Sequence, residues 1–131
     1  MGPEPRLTLK EICEKEGLLS ELENGFKSVR PKLQSQPKIV PFASGSAVIA
    51  SKEKLAKVQD QHRNVAGIDM ELFGIYLAVK LSGNSQMEFF GVKTVVDMAD
   101  KSKNDELHEY GCMVSARITA LAISALLPSS L

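Results

Sequence analysis

The feature that most constrains this chain is the alternation, from residue 39 onward, of short β-rich runs with segments of helical spacing. Residues 39–43 and 48–50 are brief apolar runs around Ser44-Gly45-Ser46, the pattern of two strand segments broken by a glycine turn or bulge. Ser51 opens a polar helix reaching to about His62, with Leu55 and Val58 on its inner face. Residues 65–70 read as a buried strand. Residues 71–81 are apolar on nearly every side, which predicts an interior helix ended by Gly83-Asn84. Residues 89–96 form the most β-rich run, with Val92, Thr94, Val95 and Val96. Asn104 or Asp105 caps a last helix, where Leu107, Tyr110, Val114, Ile118 and Leu121 keep helical spacing until Pro128. This alternation predicts an α/β fold, a layered mixed sheet flanked by helices.

Residues 1–36 have a different character and read as a helical arm followed by a basic, proline-containing linker. Thr8-Leu9-Lys10-Glu11 has the form of a capping box, and Leu7 with Ile12 occupies the positions of a hydrophobic staple. That helix is expected to stop at Gly17. Residues 20–23 offer one more helical turn before Asn24-Gly25. From 27 to 38, Pro31 and Pro37 predict an irregular connection. Lys27, Arg30, Lys32 and Lys38 make it locally basic, but no aromatic side chain stands among them to stack on a base. A solvated loop is the expectation, and no nucleic-acid partner.

Composition narrows the functional classes. Hydrophobic residues are 44% and charged residues 24% of the 131, an ordinary soluble balance. Sixteen basic residues offset sixteen acidic ones, so no net field draws the chain to nucleic acid or anionic lipid. Cys13 and Cys112 are far apart and only His62 and His108 accompany them, so no metal-ligand spacing is present. Two reduced thiols in a cytoplasmic protein are expected. The first residues lack the apolar stretch of a signal peptide. The longest apolar tract, 118–127, is interrupted by Thr119 and Ser124 and falls short of the ~20 residues of a membrane span.

Three strand ends carry polar or special residues: 43–46, 69–71 and 97–100. Open α/β sheets bind ligands beyond the carboxyl ends of their strands, where loops converge. Each cluster also has a plain structural reading. Ser44-Gly45-Ser46 alone is a common turn. Asp69 and Glu71 precede a helix, where the helix dipole favours carboxylates by ~0.3–1 kcal/mol each. Asp97 ends an apolar strand, a costly place for a carboxylate unless it is paired or its proton is useful. No Walker loop, GxGxxG, GxSxG or HExxH is present.

In their order and spacing, residues 43–49, then Gly67-Ile68-Asp69-Met70-Glu71, then residues 93–100 resemble the purine-nucleoside and uridine phosphorylase superfamily. That superfamily includes methylthioadenosine/S-adenosylhomocysteine nucleosidases and related domains fused to signalling proteins. The tail from Lys103-Asn104-Asp105 to Ser115-Ala116-Arg117 is most similar to the fused domains. The resemblance covers residues 37 to 127 and corresponds to the C-terminal half of the family fold. It implies cleavage or phosphorolysis of an N-ribosidic bond in a purine nucleoside or nucleotide.

By resemblance, Met70 packs against the ribose, Glu71 binds its hydroxyls and Asp97 donates a proton or hydrogen bond to the departing purine. Ser44, Gly45, Val48, Ile49, Asp69 and Val96 belong to the same expected substrate site. The chemistry suits these groups. A general acid at the leaving purine is worth ~10²–10⁴-fold. A carboxylate on the sugar hydroxyls orients the ring and stabilises the growing positive charge. No cofactor or metal is implied, with phosphate as the one optional co-substrate. Val96 stands where relatives carry Ser or Cys, Val48 where many carry an aromatic, and Asp69 where Glu is frequent. The Gly-rich nucleophile loop of the family's first half has no counterpart before Pro37. Catalysis is therefore expected only with such a half supplied, and a non-catalytic nucleoside-binding or assembly module is the alternative. Association with that half, or homo-oligomerisation through residues 118–127 and open sheet edges, is expected as well.

Overall fold

A computed structural model describes residues 4–44, 56–57, 60, 67–96 and 105–127. The elements run α1 (Pro5–Glu14), α2 (Leu18–Glu23), β1 (Phe42–Ser44), β2 (Gly67–Asp69), α3 (Leu72–Leu81) and α4 (His108–Leu126). The expected layered mixed sheet does not form among these residues, which are mainly helical. Strand is confined to one parallel pair, with Phe42 opposite Gly67, Ala43 opposite Ile68 and Ser44 opposite Asp69.

Residues 89–96 account for much of the difference, because they join no ladder. Thr94 instead shares a 2.7 Å hydroxyl–hydroxyl hydrogen bond with Ser115 of α4. Val96 lies against the Cα of Gly111, at a spot where any Cβ would collide with it. β-Propensity measures how well a side chain fits a half-buried surface. Here the surface that receives these β-branched residues is a helix.

The chain divides into two compact units. The first contains α1, α2, residues 92–96 and α4. Its core is Leu18 and Leu22 of α2 against Tyr110, Val114 and Ile118 of α4, with Ile12, Phe26, Val92, Met113 and Leu121 packed around them. The expected periodic face of the last helix is therefore the one that is buried. Within the apolar tract 118–127, Ile118 and Ala122 belong inside while Ile123 and Leu127 stay exposed. The start of α1 departs from the capping box. Pro5 occupies the first turn and Glu4 the cap, while Thr8 lies inside the helix and donates to the Glu4 carbonyl at 3.4 Å. Proline needs no N–H partner at that position and has its φ already set, which moves the start upstream. α1 also ends at Glu14, before the left-handed Gly17.

The second unit contains β1, β2 and α3. Gly67 stands opposite Phe42, whose ring fills the space a Cβ would take. A parallel pair needs a crossover connection, and residues 56, 57 and 60 within it are helical. The segments expected at 48–50, across most of 51–62 and at 97–100, along with Pro128, lie outside the described residues. α3 forms where expected but is not an interior helix, since none of its residues is buried.

Candidate functional site

The parallel pair ends at Ser44 and Asp69, side by side in register, and the chain passes from Asp69 through Met70 and Glu71 into α3. A helix starting there leaves N–H groups without intrahelical partners. Two side chains accept them. Asp69 Oδ1 accepts from the backbone N–H of Glu71 at 2.8 Å and of Leu72 at 2.7 Å. Ser44 Oγ accepts from the N–H of Phe73 at 2.9 Å and donates its own proton to Asp69 Oδ1 at 3.1 Å. Asp69 is only 8% exposed. Among the described residues its other oxygen, Oδ2, has no hydrogen-bond partner.

This arrangement has two effects. The carboxylate sits at the positive end of α3, a favourable location, and it satisfies the amides that hold the corner. The corner then presents Met70 and Glu71 outward, both exposed. Asp69 and Ser44 thus fix the backbone on which the two expected ribose-contacting residues stand. Four of the expected site residues, Ser44, Asp69, Met70 and Glu71, come together at this corner. Val96 belongs to the first compact unit, packed on Gly111. Gly45, Val48, Ile49 and Asp97 lie outside the described residues.

Sequence reasoning did not anticipate a groove of about 560 Å³ past the end of α3, where Tyr76, Lys80, Asn84, Met87 and Phe89 meet. The Tyr76 and Phe89 rings tilt at 58° with centroids 6.3 Å apart. The Lys80 ammonium lies 5.7 Å from the Tyr76 ring centroid, close enough for a cation–π contact. Only the turn signal at Gly83-Asn84 hinted that the chain folds back there.

Among the described residues no group of acidic, His and Cys side chains is arranged to hold a metal ion, and no helix is long and apolar enough to cross a membrane. Cys13 and Cys112 are free thiols. Burial, with the Glu14 charge adding to it, raises the Cys13 pKa above that of an ordinary thiol.

No protein-family model matches the chain, and no solved structure matches it. The chain is similar to "Uncharacterized protein y4jS" of Sinorhizobium fredii (strain NBRC 101917 / NGR234), at 32% identity over 119 residues, 91% of this chain. It spans 29% of that relative's length.

Proposed function

We propose that this chain handles the N-ribosidic end of a purine nucleoside or nucleotide, as part of a nucleosidase- or phosphorylase-like site. The observation that carries the reading is the strand-end corner. Two parallel strands finish together at Ser44 and Asp69, and Met70-Glu71 follow at once, before the first turn of α3. Ligands of parallel α/β units bind at that carboxyl end. The reading joins this corner to the sequence resemblance, from which the purine and the role of Asp97 come, and does not depend on a layered sheet.

In this proposal Met70 supplies an apolar platform for the sugar and Glu71 accepts hydrogen bonds from its hydroxyls. Asp97 is the acid that protonates the leaving purine. Water or phosphate then takes the anomeric carbon, as the C–N bond electrons leave with the protonated base. Incubation with adenosine, inosine and methylthioadenosine, with and without phosphate, tests this by following base release. Release that falls about 10²–10⁴-fold in Asp97→Asn supports the reading. An unchanged rate in Asp97→Asn, or neither base release nor binding of any of these nucleosides, contradicts it.

The second reading is a nucleoside-binding module without turnover. It is favoured by the sequence, in which the Gly-rich nucleophile loop of the family's first half has no counterpart before Pro37. Binding of a purine nucleoside with no base release distinguishes it.

A further inference from the structure

Past the last turn of α3 the chain folds back through Gly83 and Asn84 and brings Met87 and Phe89 beside Tyr76 and Lys80, around the groove of about 560 Å³. Volumes of roughly 300–1,000 Å³ suit small molecules. The turn that shapes the groove is held by its own hydrogen bonds. Asn84 Oδ1 accepts the Gln86 N–H at 3.0 Å, and the Asn84 carbonyl accepts that of Met87 at 3.1 Å. Tyr76, Met87 and Phe89 give the groove an apolar wall and remain open to solvent, at 44%, 46% and 37% exposed.

The charges decide what such a groove takes. Aromatic faces attract cations, but Tyr76 already has one. The Lys80 ammonium lies 5.7 Å from its ring centroid and 3.4 Å from its phenol oxygen. A second cation would meet like charge. Among the described residues no acid lines the groove and Lys80 has no carboxylate partner. The polar groups left over are donors: the Lys80 ammonium, and the amide NH₂ of Asn84, whose Oδ1 is committed to the turn. The carbonyls of Ala78 and Val79 at the end of α3 do not compete for a donor, because the Ser82 N–H and hydroxyl already serve them.

We propose that this groove binds a small aromatic carboxylate, with the ring against Tyr76, Met87 and Phe89 and the carboxylate on Lys80. Flat apolar surface meets the two rings, the flexible thioether of Met87 adapts to the ligand's edge, and the unpaired ammonium receives the negative charge. Met70 and Glu71 stand before the first turn of α3 and Lys80 in its last, so the site is independent of the nucleoside reading.

Titration with 1-naphthoate, its neutral amide and cyclohexanecarboxylate to about 10 mM, followed by backbone amide chemical shifts, tests it. Naphthoate should saturate with a dissociation constant on the order of 1 mM, as befits so small a ligand in an open groove, and should shift amides within 76–89. The neutral amide should bind about fivefold more weakly, and Lys80→Gln, at an exposed position, should erase that difference. Cyclohexanecarboxylate should bind more weakly than naphthoate. Phe89→Leu, which keeps an apolar side chain there, should weaken naphthoate about threefold or more with circular dichroism unchanged. No saturation by naphthoate, equal binding of naphthoate and either of the other two ligands, or shifts centred outside 76–89 overturns the proposal.

Discussion

The hydroxyl of Tyr110 donates a 3.1 Å hydrogen bond to Oε1 of Glu23, joining residues 87 apart in the chain. Glu23 is 4% exposed, and its other oxygen accepts from Arg30 Nη1 at 2.9 Å and from Gln34 Nε2 at 3.0 Å. Both oxygens of a buried carboxylate are therefore satisfied, and the same contact ties α2 to α4 at the centre of the first unit. The Phe26 ring packs edge-on to Tyr110 with centroids 5.7 Å apart.

Tyr110→Phe removes one donor and should cost about 1–2 kcal/mol in urea unfolding. Glu23→Ala should cost more, because Tyr110, Arg30 and Gln34 all lose their acceptor. Equal losses from the two variants would show that the phenol alone carries the effect.

The same contact gives stability an alkaline limit. Burial first, then the hydrogen bond to Glu23 and its charge, push the Tyr110 pKa up from 10 to about 12, while Arg30 pulls the other way. The folded state thus holds the phenol proton more tightly than the unfolded state does. That stabilisation is complete below pH 10 and is lost as pH rises from 10 toward about 12. Unfolding free energy should fall across this window, and Tyr110→Phe should flatten the fall.

At the corner, Asp69→Ala leaves the Glu71 and Leu72 amides without an acceptor and should cost about 1–2 kcal/mol, in the manner of a lost helix cap. Asp69→Asn keeps one acceptor oxygen and should cost less. Amide exchange at Leu72 should accelerate in Asp69→Ala, whereas Ser44→Ala should expose the Phe73 amide instead.

Arg117 closes the C-terminal end of α2. Its Nη1 donates to the carbonyls of Leu22 at 2.6 Å and Asn24 at 2.7 Å, where helix carbonyls lack partners and a cation is favoured. Arg117→Ala should cost about 1–3 kcal/mol by denaturant titration. An effect below a few tenths would mean that water replaces the guanidinium without loss.

The local pattern was legible at several points. The buried stripe Tyr110, Val114 and Ile118, the helical turn before Asn24-Gly25, a strand within 65–70 and a helix within 71–81 all follow from periodicity and turn residues. What sequence could not reveal was where each apolar surface finds its cover. Val92–Val96 is β-branched enough for a strand, yet it packs on α4 through Thr94 and Val96. α3 is apolar enough for an interior and is open. Glu23 looks like one more surface acid, and only the fold brings Tyr110 to it. At the site, the Ser44–Asp69 cap is readable in part from an acid placed before a helix. The pairing that brings Ser44 to the same corner depends on strand register.

The ribose grip proposed for Met70 and Glu71 at the corner after β2 is decided by calorimetric titration with a purine ribonucleoside and with its 2′,3′-dideoxy counterpart. The ribonucleoside should bind, the dideoxy compound should bind about tenfold more weakly or worse, and Glu71→Ala should erase the difference. Equal affinities for the two ligands, or no binding heat from either, would rule the grip out.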